Sequence, residues 1–277
     1  MVQINKISVC VVIPTYNEAA NISNLLDLVY SEENAGLFKD NHIILDVLVV
    51  DDNSPDMTSF AVKEYQKKNN HINLLSRKKK MGLGAAYIAG MEHAMYFYNP
   101  DIIFEMDADL SHNPSKIFPM IKKITGGADF VIGSRYIDGG TLPAGWGFKR
   151  KLISKSANYY ARTILGMKKV HDCTGGFRAI RASLLKNIDL DSLNVKGYAF
   201  QISLLEAAIR NGAVIEEIPI DFQDRNTGKS KMGFIDIAEV GMVVLRLAMQ
   251  RLIGPYSGTP ILEPGRNYGQ GKNTART

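Results

Sequence analysis

Phe104-Glu105-Met106-Asp107-Ala108-Asp109-Leu110-Ser111-His112 is an apolar run that ends in two carboxylates separated by one alanine. Alternate residues of an extended strand share one face, so the spacing predicts Asp107 and Asp109 side by side at the exposed end of a buried strand. Hard carboxylate oxygens suit Mg²⁺ or Mn²⁺, and such an ion is most useful beside a phosphate. The competing reading is an ordinary solvated strand end. Alternate Cβ atoms of a straight strand stand roughly 7 Å apart, which hinders both aspartates from gripping one ion. Asp109 is therefore expected as the direct ligand, Asp107 as a ligand or ribose contact, and Ser111 as a weaker third ligand. His112 is a further candidate, although a lone loop histidine is more often solvated.

Working outward, Val9-Cys10-Val11-Val12-Ile13, Ile43 to Val50, Ile102 to Met106 and Phe130-Val131-Ile132 are short apolar runs rich in β-branched residues. They predict strands buried on both faces. Between them, Ile22, Leu25, Leu26 and Val29 fall on one helical stripe, and Ser54-Pro55 offers an N-cap followed by a first-turn proline. This alternation implies an α/β fold with a mostly parallel central sheet. In such open sheets ligands sit outside the carboxyl ends of the strands. Three runs end there in polar clusters: Pro14-Thr15-Tyr16-Asn17-Glu18, Asp51-Asp52-Asn53 and Asp107-Ala108-Asp109. Alone, Asp52-Asn53-Ser54-Pro55 reads as helix capping. Beside a second acidic strand end it points to a nucleotide and metal crevice. Beyond about Arg135 come a glycine-rich loop, a basic helix start at Lys149-Arg150-Lys151, a tight turn at Thr174-Gly175-Gly176-Phe177-Arg178, a helix near Tyr198 to Asn211 and a strand over Ile215 to Phe222.

The chain has 277 residues, 45% hydrophobic and 22% charged, enough for a large globular core. A net charge of +5 is too mild and dispersed to argue for nucleic acid, yet compatible with phosphates or a lipid surface. Cys10 and Cys173 fit neither a disulfide framework nor a zinc spacing, which favours a reducing, cytoplasmic location. No signal-peptide pattern precedes Ile7, and no stretch reaches the roughly 20 apolar residues of a membrane span. The division expected is a catalytic domain over 1–233, an amphipathic interfacial helix over 234–253 and a flexible tail over 254–277. That helix is apolar enough to lie on a membrane; packing on its own domain is the alternative.

Arg135, Arg150, Lys151, Arg178, Arg225, Lys229 and Lys231 all follow the acidic half. Within Phe222 to Met232, three cations, a glycine and hydroxyls including Ser230 occupy a turn-rich stretch that could wrap a phosphate. Gly82-Leu83-Gly84 lacks the third glycine and lysine of phosphate loops and reads as close packing.

Together, Pro14-Thr15-Tyr16-Asn17-Glu18, Asp51-Asp52-Asn53-Ser54, Asp107-Ala108-Asp109-Leu110-Ser111-His112, Gly133-Ser134-Arg135-Tyr136, Thr174-Gly175-Gly176-Phe177-Arg178 and Asp224-Arg225 with Lys229-Ser230-Lys231 form an ordered set of motifs. From about Ile7 to Ile253 the chain resembles the dolichol-phosphate (polyprenol-phosphate) mannose synthases, within the family 2 glycosyltransferases of GT-A fold. The resemblance implies that Pro14, Tyr16, Glu18 and Asp52 hold the nucleotide, and that Asp107, Asp109 and Ser111 surround the metal. It also implies that Arg135, Arg150 or Lys151, Arg225, Ser230 and Lys231 grip the acceptor phosphate and donor diphosphate. Relatives carry Gln or Ser at the Ser111 position. The implied type is a peripheral membrane enzyme, recruited to the cytoplasmic face of a membrane by its interfacial helix or by a separate membrane-anchoring protein.

The activity so implied is inverting transfer of mannose from GDP-mannose to a dolichyl or polyprenyl phosphate, giving a β-linked mannosyl phosphate. Glucosyl transfer from UDP-glucose to the same lipid is one alternative. A non-catalytic sugar-nucleotide-binding scaffold is the other, opposed by the intact acidic pair.

Overall fold

The computed structural model describes residues 6–193, 197–224 and 234–253. Seven strands form one sheet: β1 Ile7–Thr15, β2 Ile43–Asp51, β3 Ile72–Ser76, β4 Ile102–Glu105, β5 Phe130–Ser134, β6 Arg178–Arg181 and β7 Ile215–Pro219. Their order is β3-β2-β1-β4-β6-β5-β7. All pairings are parallel except those of β6, which runs antiparallel to β4 on one side and β5 on the other. Helices flank the sheet: α1 Ala19–Val29, α2 Glu32–Asp40, α3 Thr58–Gln66, α4 Leu83–Phe97, α5 Ile117–Thr125, α6 Phe148–Ile164, α7 Ala182–Leu185, α8 Gly197–Arg210 and α9 Phe234–Ile253.

The period of two explains why the strands read as unbroken apolar runs. Val9, Val11 and Ile13 of β1 enter one core with Leu25 and Leu26 of α1 and Ile121 of α5, whereas Cys10 and Val12 enter the opposite core with Tyr87 and Met91 of α4 and Phe200 of α8. Gly90 lets α4 lie flush on the sheet, since a Cβ there would collide with Val12 Cγ1 and come within 2.9 Å of Val50 Cγ2.

The structure corrects four local expectations. First, β4 stops at Glu105, so Asp107 and Asp109 lie on the turn beyond it rather than on one strand face. Leu110 reverses that turn with φ +66°. Second, Ser54-Pro55 does not open a helix. α3 starts at Thr58, behind Met57 in the left-handed region, and Ser54 instead ties the two loops by accepting from Asn17 N at 3.0 Å. Third, the turn at Thr174–Arg178 delivers the chain into β6, which reverses direction and makes the sheet mixed. Its few residues carry no alternation long enough to show a strand. Fourth, the regular part of the strand expected over Ile215 to Phe222 ends at Pro219.

α9 spans the predicted residues and is docked on the domain, with Val243, Val244 and Leu247 in the core beside α8 and α6. Arg251 Nε bonds Glu206 Oε1 at 2.8 Å. Its opposite face exposes Met242, Leu245 and Met249. The residues 225–233, with Arg225, Lys229, Ser230 and Lys231, lie outside the described residues, as does the tail over 254–277.

Candidate active site

Because β1, β2 and β4 are parallel neighbours, their carboxyl ends open on one edge of the sheet. The loops there are cross-tied. Asp51, fully buried, accepts from Thr15 Oγ1 at 3.0 Å, Ser54 N at 3.1 Å, Ser54 Oγ at 2.5 Å and Ser59 Oγ at 2.6 Å. Four hydrogen bonds from three residues offset the cost of burying this polar group, so Asp51 anchors the loop. Asp56 accepts from Ala19 N at 3.0 Å, and Thr58 Oγ1 accepts from Glu18 N at 3.0 Å. Among the described non-glycine residues with positive φ, Asn17, Asn53, Met57 and Leu110 all sit in these loops. Left-handed conformations cost free energy and concentrate where the surroundings enforce a functional shape.

The loops enclose a cleft of about 260 Å³ lined by Pro14, Tyr16, Glu18, Asp52, Asp107 and Asp109, together with Lys80, Gly82, Leu83 and Ala86. Every residue expected to contact nucleotide thus borders the same space as the acidic pair. Asp52 is held by Arg77 NH1 at 2.8 Å and by Met81 N at 3.1 Å. Tyr16 is half-exposed, with Lys80 Nζ 3.8 Å from its ring centroid. Gly82, read from sequence as a packing residue, lies in the cleft wall with φ +99°.

Asp107 Oδ1 accepts from Tyr87 OH at 2.9 Å, and Asp109 Oδ1 from Ser111 N at 3.1 Å. Ser111 Oγ is buried without a hydrogen-bond partner. His112 is buried too, against the expectation of solvation. Its ring stacks on Phe177 at 5.1 Å between centroids, and its Nδ1 accepts from Asp107 N at 3.0 Å. No group of three or more His, Cys, Asp or Glu among the described residues is placed to hold an ion. The donors lining the cleft are two carboxylates, and the orphaned Ser111 hydroxyl, which is not in the cleft wall, lies two residues beyond Asp109; all are oxygen. That set fits Mg²⁺ or Mn²⁺, which take one or two carboxylates and complete their shell with substrate phosphates and water.

Behind the acidic turn lies a charge pair that the sequence did not reveal. Glu105 on β4 and Arg178 on β6 are register partners, both fully buried, with Arg178 Nε 3.7 Å from Glu105 Oε2. Arg178 donates to the carbonyls of Gly175 at 2.8 Å, Gln201 at 2.7 Å and Cys173 at 3.0 Å. Burial, opposed by Arg178 and aided by Asp107, pushes the Glu105 carboxyl up to about 7. A carboxylate inside an apolar run was the available signal, since burial there demands a partner.

Of the cations expected on phosphate, Arg135 is buried and forks onto Asp172, Nε to Oδ2 at 2.7 Å and NH2 to Oδ1 at 2.7 Å. The expectation of an open phosphate grip therefore meets a guanidinium already engaged by a carboxylate. Burial would raise Asp172, but the charge and hydrogen bonds of Arg135 outweigh it and hold the carboxyl below its usual range. Arg150 lies over Trp146, 3.9 Å from the ring centroid, with Asp224 Oδ1 3.9 Å from its NH1. Lys151 is half-buried one residue further along α6.

The Glycosyl transferase family 2 model matches residues 10–189, and the chain belongs to that family: it is a glycosyltransferase. It is 40% identical over 232 residues to the polyprenol monophosphomannose synthase of Mycolicibacterium smegmatis, covering 83% of this chain and 82% of that protein. It is 39% identical over 238 residues to the undecaprenyl-phosphate mannosyltransferase of Micrococcus luteus, covering 86% and 93%. Among solved structures it resembles glucosyl-3-phosphoglycerate synthase from Mycobacterium tuberculosis, in complex with Mn²⁺, uridine diphosphate and glucosyl-3-phosphoglycerate. The TM-score is 0.60 at 19% identity, over 91% of this chain and 82% of that one. Mannosyl-3-phosphoglycerate synthase from Rubrobacter xylanophilus gives 0.59 at 19% identity, over 95% and 80%. These structures share the GT-A architecture.

Proposed function

We propose that this protein transfers mannose from GDP-mannose to a dolichyl or polyprenyl phosphate at a membrane surface, with inversion and with Mg²⁺ or Mn²⁺. The observation that carries the reading is the gathering of Pro14, Tyr16, Glu18, Asp52, Asp107 and Asp109 around one cleft, in a chain about 40% identical to two enzymes named for mannosyl transfer to such lipids. Pro14, Tyr16, Glu18 and Asp52 bind the nucleotide. Asp109, Asp107 and the Ser111 hydroxyl would hold the ion, which would supply positive charge to the departing diphosphate.

The acceptor's phosphate oxygen forms the new bond to the mannose anomeric carbon while the bond from that carbon to GDP breaks. A phosphomonoester has a second pKa of about 6, so it arrives largely dianionic and no proton need be removed. The mechanism thus requires positioning rather than a general base. Arg150 and Lys151 at the start of α6 orient the acceptor phosphate, with Arg225, Ser230 and Lys231. Arg135, braced by Asp172, completes the basic wall.

No helix among the described residues is long and apolar enough to cross a membrane. Contact with the lipid surface is assigned to the exposed Met242, Leu245 and Met249 of α9, assisted by Phe148, Leu152 and Tyr159 of α6, where Lys149 and Lys155 are also exposed. The setting is the cytoplasmic face of a membrane, with a membrane-anchoring protein as a further partner. The test is incubation of purified protein with radiolabelled GDP-mannose, a polyprenyl phosphate and Mg²⁺ or Mn²⁺. Lipid-linked label that disappears on chelation is expected. Label from UDP-glucose alone would replace the donor, and no label from either would leave only a binding protein.

A further inference from the structure

Gln201 on α8 is buried, 2% exposed, and neither its Nε2 nor its Oε1 makes a hydrogen bond. The amide comes near enough to Glu105 to favour that carboxylate's charged form, but without hydrogen-bond geometry. A buried amide left so is costly, and native structures keep few such groups without a functional reason. Its surroundings supply one. The point a Cβ of Gly176 would occupy lies 3.6 Å from Asp107 Oδ2, 3.6 Å from His112 Cε1 and 3.8 Å from Gln201 Nε2. An acceptor from the cleft wall and a donor from α8 therefore flank the same side of Gly176, where no side chain separates them, beside the His112 ring. Tyr87 OH, on Asp107 Oδ1, turns the other carboxylate oxygen toward Gly176.

We infer that Gln201, with Asp107 across Gly176, forms a notch that reads one hydroxyl group of the transferred hexose. An alcohol both donates and accepts, so one hydroxyl can give its proton to Asp107 Oδ2 while taking the Nε2 hydrogen of Gln201. Neither a methylene nor an ether oxygen completes both bonds. Sites built to pair a substrate hydroxyl reject analogues lacking it strongly, because the protein groups are then stranded. The inference rests on the proposed transfer from a sugar nucleotide and names Gln201 as the specificity-determining residue of that site.

The experiment compares kcat/KM for GDP-mannose and its 2-, 3-, 4- and 6-deoxy analogues in wild type, Gln201→Met and Gly176→Ala. Methionine keeps the shape and removes the amide, and the alanine Cβ fits at ordinary contact distance while filling the notch. Wild type should disfavour one analogue by at least about tenfold, and both variants should bring that gap within about threefold, leaving the other gaps in place. GDP affinity and melting temperature should hold, with Gln201→Met melting no lower than wild type. Unchanged gaps in both variants overturn the inference. So does an equal loss on every sugar accompanied by weaker GDP binding, which is the mark of a structural residue. A wild-type protein that transfers no mannose overturns the proposed function itself, and this notch with it.

Discussion

Asp109 and Asp172 show two uses of a buried carboxylate. Asp109 borders the cleft on a turn beyond β4, with Ser111 N bonded to one oxygen and an orphaned hydroxyl on the same turn. Asp109→Ala should lower lipid-linked mannose formation by more than about a hundredfold, on the scale of losing one preorganised electrostatic group. The variant should keep its circular dichroism spectrum, since Asp109 lies on a turn at the cleft and in no strand or helix. Full activity would remove the metal assignment. Asp172 instead locks Arg135, and breaking a buried pair from one side costs roughly 3–5 kcal/mol. Its folded-state pKa lies below the ordinary 3.8, so its stabilisation is fully present above that value and lost as pH falls through the depressed one. Urea midpoints of the wild type should decline below about pH 4, and Asp172→Asn should be weaker at neutral pH with a flatter acid limb. Both residues were visible in the chain, but only Asp109 could be given a role from its neighbours. The partner of Asp172 is 37 positions away.

Elements differed in legibility for a physical reason. β1 and β2 are each nine residues long and bury both faces, so their apolar runs are unmistakable. β6 has four residues, one a fully buried arginine, and nothing local announces a strand. Glycine in α4 was similarly silent. Gly90 weakens the helix in isolation but permits its contact with Val12 and Val50. Gly90→Ala should therefore destabilise by about 1–3 kcal/mol through overpacking, the reverse of alanine's usual effect in a helix, and chemical denaturation would measure it. The N-cap assigned to Ser54 failed because its hydroxyl donates to Asp51 three residues back and accepts from Asn17 of the neighbouring loop, contacts that compete with capping.

At the scale of the molecule, α9 reconciles two readings that its sequence left open. One face is committed to the core through Val243, Val244 and Leu247, while Met242, Leu245 and Met249 stay exposed on the other. Such a helix can dock on the domain and still offer apolar area to lipid, at roughly 25 cal/mol for each Å² withdrawn from water. The wild type should float with anionic phospholipid vesicles, and a Leu245→Glu, Met249→Glu double variant should remain in the soluble fraction without a change in melting temperature. Flotation by the double variant would move lipid contact away from α9.

The chain alone determined an α/β domain with a cleft at three acidic or polar strand ends, because burial on both faces and strand-end chemistry are written in consecutive residues. It could not determine that the acidic pair sits on a turn reversed by Leu110, that Arg178 lies opposite Glu105, or that Gln201 and Asp107 flank Gly176. Those relations join β4, β6 and α8 across as many as 96 positions of sequence, as the numbering of Glu105 and Gln201 shows. Only the packed sheet decides which buried polar groups face one another, since a side chain's charge and partners depend on what surrounds it rather than on what precedes it.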